Sequence, residues 1–159
     1  MTLYDELSRR LSEQSRVAVL GIGNRINGDD ALGPLVIDKL GVKGENVLLL
    51  DCGVAPENFT GKVREFWPSH VVLIDSAVMG ERPGTIKIVE MKDIKGLVLS
   101  THRLPLSLLA EHLHVSIGSD VFLIGVEPKR VEQFSVVSDE IKDAVNDLVD
   151  ALKKILIRL

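Results

Sequence analysis

The chain predicts an α/β fold, a three-layer sandwich in which a mostly parallel, twisted sheet of about five strands carries helices on both faces. Three observations predict it. Four apolar runs, VAVLGI (17–22), NVLLLD (46–51), HVVLID (70–75) and VFLIGV (121–126), are continuous rather than alternating, the pattern of strands buried on both faces of a parallel sheet. Amphipathic segments of helical period lie between them. The chain has 159 residues and no Pro/Gly/Ser linker, internal repeat or low-complexity tract. One domain over 1–159 is therefore expected, large enough to bury about 70% of the surface its unfolded chain exposes.

Leu3, Leu7 and Leu11 share one face of an N-terminal helix, with Thr2 placed to cap it. VAVLGI is the first strand, and the glycine-rich stretch GIGNRINGDDALGP (21–34) overlaps its end. Leu35, Val36, Ile37 and Leu40 mark a second helix whose first turn accommodates Pro34, because first-turn amides have no intrahelical partner. After NVLLLD, a third helix runs from Pro56 to Trp67, and HVVLID follows as a strand. TIKIVEM (85–91) alternates, so one of its faces meets water, as at a sheet edge. A polar loop within LSTHRLPL (99–106) leads to a helix over Pro105 to His114 and then to VFLIGV. In the last helix Ile141, Val145, Leu148, Val149, Leu152, Ile155, Leu156 and Leu159 recur at helical spacing. Asp139 and Glu140 complement its dipole, and Ser138 is placed to cap it.

Composition removes several function classes. The formal net charge is −4 and no run of lysines and arginines stands out, so nucleic acid and anionic membrane surfaces find no electrostatic footprint. No apolar stretch approaches the ~20 residues of a membrane helix, which argues against membrane insertion. The first sixteen residues carry charges throughout and do not read as a signal peptide. Cys52 is the only cysteine, so no internal disulfide is possible. A globular, cytoplasmic monomer is expected, with a small polar ligand or another protein as its partner.

In a doubly wound sheet, ligands sit beyond the carboxyl ends of the strands, which is where residues 21–34 lie. A dinucleotide fingerprint needs G-x-G-x-x-G, but after Gly21 and Gly23 the next glycine is Gly28, two positions late. Gly23 to Gly28 has the frame of a P-loop, yet Asp29 and Asp30 stand where the lysine and hydroxyl belong. Two anions repel phosphate. A glycine loop ending in carboxylates suits a cation, although an aspartate at a loop–helix junction also serves as a cap.

Other residues extend the cation reading. Asp75 closes the third strand and Asp51 the second, and a carboxylate there is costly to bury unless it is paired, hydrogen-bonded or ligating. Position alone does not choose between them. Of four histidines, His70 opens a strand, and His112 and His114 in EHLH fall on different sides of a helix, without the H-E-x-x-H of a zincin. His102 differs, lying in the polar loop before Pro105. Two carboxylates and one imidazole form a donor set suited to Ni, Zn, Mn or Fe. No serine or cysteine has the setting of a nucleophile: Ser76 lacks G-x-S-x-G, Ser116 and Ser119 follow no matching strand, and Cys52 reads as a small buried residue.

GIGNRINGDDALGP resembles the G-[IV]-G-N-x-x-x-x-D-[DE]-G-x-G-P segment of the hydrogenase maturation endopeptidases. The resemblance continues through DCGVAPEN (51–58), VVLIDSAVMGERPGTIKI (71–88), STHRLPL (100–106) and VFLIGVEP (121–128). It covers nearly the whole chain in order. The APEN segment is most similar to the branch serving hydrogenase 3-type and archaeal enzymes. One departure is Ala31, where the family usually has glycine.

The resemblance implies a cytoplasmic protease that trims the C-terminal extension of the large-subunit precursor of nickel-iron hydrogenases. By that resemblance Asp30, Asp75 and His102 contact nickel, which arrives with the substrate, and the same three carry the processing reaction. Asp51, Asp29 and Asn24 support them or orient substrate. In the family, nickel is held in the precursor by cysteine thiolates, and cleavage falls just beyond the last C-x-x-C motif, after a basic residue. A carboxylate–histidine site that finds nickel only in loaded precursor would act as a checkpoint. Two other classes remain at this stage. One is a nickel-dependent chaperone that holds the large subunit without cutting it, and the other is a nucleotide-binding α/β domain.

Overall fold

The computed structural model describes residues 1–100 and 104–159. Among these residues six strands and five α-helices follow the order α1 (Leu3–Arg10), β1 (Val17–Ile22), α2 (Leu32–Leu40), β2 (Val47–Gly53), α3 (Thr60–Phe66), β3 (His70–Val78), β4 (Ile86–Glu90), β5 (Val98–Leu99), α4 (Leu106–Ile117), β6 (Asp120–Val126) and α5 (Asp139–Leu156). The sheet runs β2-β1-β3-β6-β4. Its β1–β2, β1–β3 and β3–β6 pairs are parallel and β4–β6 is antiparallel. The short β5 pairs antiparallel with the far end of β3.

Strand side chains alternate between faces, and both faces are buried in β1, β3 and β6, whereas β2, whose continuous apolar run predicted the same, lies at the sheet edge and is only partly buried. Val17, Val19, Val72, Ile74, Phe122 and Ile124 pack against α1, α2 and α5. Ala18, Leu20, Val71, Leu73, Val121 and Leu123 pack against α3 and α4. This is the expected three-layer sandwich, and it explains why the strand sequences lack alternation. The alternating segment 85–91 becomes β4, an edge strand only half-buried.

Local chemistry sets the helix ends. The Thr2 hydroxyl accepts from the Asp5 amide (3.1 Å) and the Asp5 carboxylate accepts from the Thr2 amide (2.9 Å), a reciprocal capping box. The segment from Pro56 divides into a 3₁₀ turn, Pro56–Phe59, and α3. Ser138 does occupy the N-cap of α5, but its side chain makes no cap bond; the hydroxyl is directed to a carboxylate described below. The last helix stops at Leu156 rather than Leu159. β3 extends three residues past Asp75, because β6 continues to pair with it through Ser76 and β5 through Ala77 and Val78.

Candidate functional site

The strand order creates a switch point. From β1 the chain crosses outward to β2 and then returns to β3 on the other side of β1, so connections leave β1 and β3 in opposite directions and open a crevice at their carboxyl ends. Asp30 lies in the 3₁₀ turn Gly28–Ala31 that follows β1. Asp75 lies in β3, opposite Gly125 of β6. Asp30 is 8% exposed and Asp75 0%. The two carboxylates are close enough to influence each other's charge.

Each carboxylate has a hydroxyl partner: Ser76 Oγ donates to Asp30 Oδ1, and Ser100 Oγ donates to Asp75 Oδ1. The Ser100 amide also reaches Asp75 Oδ2 at 3.3 Å. Burial pushes the Asp75 carboxyl well above the ordinary carboxylate range, and the Asp30 charge pushes it further, against the lowering effect of the Ser100 bonds. Burial thus disfavours the charged form of Asp75. A buried pair of this kind takes up a proton or a cation.

The glycines around Asp30 serve close backbone approach. A Cβ on Gly23, whose φ is +148°, would fall 1.8 Å from the Asp30 carbonyl oxygen. One on Gly33 would lie 2.2 Å from Ile22 O and 2.7 Å from Ile74 O. The loop thus folds on itself and presses α2 against β1 and β3. Ala31 takes a right-handed helical conformation (φ −74°, ψ −8°) at the start of α2, so a side chain is accommodated there.

Asp29 behaves differently from its neighbour. It is 0% exposed and does not cap α2. Its carboxylate instead accepts from the amides of Lys129 (2.8 Å), Arg130 (3.0 Å) and Ser138 (2.7 Å), and from Ser138 Oγ (2.9 Å). The Asp29 amide donates to Arg130 O (2.8 Å). One side chain thus fixes the segment between β6 and α5 beside the loop that carries Asp30.

Asp51 is partly exposed and pairs with Arg25 at 2.7 Å, while Arg25 also makes two bonds to Asp38, at 2.8 and 2.9 Å. It stands at the carboxyl end of β2, outside the buried pair. Asn24 Oδ1 accepts from the Ile26 amide (3.0 Å), an Asx turn that shapes the same loop. Cys52 is buried, and desolvation followed by the charge of Asp51 pushes its thiol up to about 12, which withholds the reactive thiolate.

His70 hydrogen-bonds Ser69 at the opposite, amino end of β3. His112 contacts Arg64 and His114 contacts the Ser119 carbonyl. His102 lies outside the described residues, and among the described residues no group of three His, Cys, Asp or Glu side chains is arranged to hold a metal ion. The structure thus brings Asp30 and Asp75 together and gives Asp29 and Asp51 other partners.

Sequence reasoning missed Ser76 and Ser100 as partners of the carboxylate pair. It also missed Glu127, a buried carboxylate that accepts from the amides of Met79 (2.8 Å) and Glu81 (2.9 Å) and holds the turn after β3. The available signal was an acidic residue closing an apolar strand, the same one that marked Asp51 and Asp75.

A family model described as hydrogenase maturation protease matches residues 36–155; Asp75 lies within the matched span and Asp30 precedes it. The hydrogenase 3 maturation protease of Escherichia coli strain K12 is 36% identical over 138 residues, covering 85% of this chain and 87% of its own. The crystal structure of the NiFe hydrogenase maturation protease HycI from Thermococcus kodakarensis KOD1 superposes with a TM-score of 0.86 at 35% identity, covering 94% of this chain and 98% of that one. The maturating endopeptidase HybD from E. coli matches with a TM-score of 0.69 at 25% identity, covering 87% and 93%. With its sandwich fold and its paired carboxylates at the switch point, the chain belongs to the hydrogenase maturation proteases and is a peptidase.

Proposed function

We propose that this peptidase removes a C-terminal extension from the large-subunit precursor of a nickel-iron hydrogenase, and that Asp30, Asp75 and His102 recognise nickel already inserted in that precursor. The observation that carries the reading is the buried Asp30–Asp75 pair at the switch point, two carboxyl groups side by side with a hydroxyl on each. Such a pair is destabilised when both members ionise alone and relieved when a cation joins them. Oxygen ligands with one imidazole suit a borderline divalent ion. Nickel is here part of the substrate, and its charge offsets the repulsion between the two carboxylates.

The chain's own groups then have defined tasks. Ser76 and Ser100 orient the two carboxylates, and a proton on Asp75 must leave when the cation enters. Tying recognition to an inserted metal makes empty precursor a poor substrate, so cleavage follows metal insertion. Among the described residues no helix is long and apolar enough to cross a membrane, and the proposed place of action is the cytoplasm.

The test is to incubate the protein with nickel-loaded and nickel-free precursor and to weigh the products. Loss of the tail from loaded precursor alone, abolished by Asp30→Ala, Asp75→Ala and His102→Ala in folded protein, is the expected outcome. Unchanged mass of loaded precursor would point to a chaperone, and equal trimming of both forms would remove nickel recognition.

A further inference from the structure

The segment between β6 and α5 carries an aromatic ring in a costly position. Phe134 has φ +65°, a left-handed conformation that is an outlier for a bulky side chain, and it is 77% exposed. Packing within the molecule does not repay that backbone cost. The conformation is nevertheless imposed: the Phe134 amide donates to Ile26 O (2.6 Å), the Ser135 amide and hydroxyl bond to Glu132 O (3.1 and 2.6 Å), and Asp29 grips Lys129, Arg130 and Ser138. Strain held in place by surrounding bonds is a mark of function.

The two loops joined by the Phe134–Ile26 backbone bond also expose aliphatic side chains. Ile26, in the loop after β1, is 47% exposed, and Val136 is 70% exposed; Val131 is exposed as well. The strands that feed these two loops, β1 and β6, flank β3, the strand that carries Asp75. The patch therefore sits at the same sheet edge as the carboxylate pair, and Asp29 fastens the segment that bears Phe134 to the loop that carries Asp30.

We infer that Phe134, with Ile26, Val131 and Val136, is the docking platform on which an apolar segment of the large-subunit precursor rests while its nickel enters the Asp30–Asp75 crevice. This rests on the reading of that crevice as the site. Three features favour the precursor as occupant. The patch lies on the two loops at the site's sheet edge that Asp29 ties together, an exposed aromatic with β-branched residues in the same loops is the composition of an interface anchor, and a second copy of this chain seated there would crowd the crevice that a protein substrate must enter.

The test is steady-state trimming of nickel-loaded precursor by Phe134→Gly, a substitution that suits φ +65° and leaves the surrounding hydrogen bonds in place. The expected result is a KM raised tenfold or more with kcat within about threefold, and a melting temperature no lower than wild type. If Phe134→Gly proves unstable, the Ile26→Ser/Val136→Ser double variant takes its place with the same expected rise in KM. Unchanged KM overturns the proposal, as does a wild-type dimer in sedimentation that Phe134→Gly dissociates, which would make the patch a self-interface. Asp75→Ala is assayed in parallel to separate the two readings. Normal trimming by that variant removes the carboxylate site, whereas its inactivity alongside unchanged Phe134→Gly kinetics removes only the platform.

Discussion

Removing the Asp29 carboxylate is the sharpest structural perturbation available, because one side chain holds four donors. In Asp29→Ala, two of the four, the amide and hydroxyl of Ser138, belong to a fully buried residue. A buried donor left without a partner costs about 1–3 kcal/mol, so that pair alone removes about 2–6 kcal/mol. The amides of Lys129 and Arg130 lie nearer water and add less. A loss of about 4 kcal/mol is a large part of the 5–15 kcal/mol on the order of which a domain is stable. In urea, with a slope of about 2 kcal/mol/M, the midpoint falls by about 2 M. The melting temperature falls by about 8–16 °C for a chain of this size. Asp29→Asn, which keeps one acceptor oxygen, lies between the variant and wild type. Hydrogen exchange at Lys129, Arg130 and Ser138 accelerates in step. A loss below about 1 kcal/mol by urea titration would refute the assignment of Asp29 as the clamp of this segment.

The carboxylate pair makes a pH prediction. Because the folded state raises the Asp75 carboxyl, its contribution to stability is fully present below the unfolded value and is lost as pH rises through the folded one. Asp75→Asn therefore stabilises the metal-free protein at neutral pH, and the gain disappears as pH falls into the ordinary carboxylate range; urea titrations across pH that show no such convergence would contradict the burial argument. Gly33→Ala forces a Cβ onto the backbone of Ile22 and Ile74 and costs roughly 3 kcal/mol or more. Gly44→Ala meets nothing within 4 Å and stays within about 1 kcal/mol of wild type, a contrast that thermal melts read directly. Cys52, with its thiol pushed up to about 12, reacts with iodoacetamide at pH 8 only as the protein unfolds. Rapid alkylation of folded protein would overturn its burial.

The layers were legible in the sequence because a strand buried on both faces must be apolar at every position, and VAVLGI and VFLIGV are. TIKIVEM announced its edge position by alternating. Two-residue β5 left no such trace, since its pairing with Ala77 and Val78 depends on where the chain after β4 returns. The candidate site was legible in pieces: Asp30 appeared as a carboxylate ending a glycine-rich loop, and Asp75 as one closing an apolar run. Their meeting depends on β3 lying beside β1, a matter of strand order that hydropathy does not encode. Asp29 is the clearest limit. Next to Asp30 in a loop it reads as a cap or as a flanking carboxylate that supports the ligands, and only the fold reveals that its partners lie 100 to 109 residues away. Ser138 was placed correctly as an N-cap residue, but the buried carboxylate of Asp29 captures its hydroxyl.

Nickel K-edge X-ray absorption on loaded precursor, mixed with the protein and frozen before trimming, tests most directly whether the chain itself touches the metal. The account predicts added oxygen and nitrogen neighbours around nickel with the wild-type chain and their loss with Asp30→Ala or Asp75→Ala. A nickel spectrum unchanged by a wild-type chain that goes on to trim the precursor would contradict it.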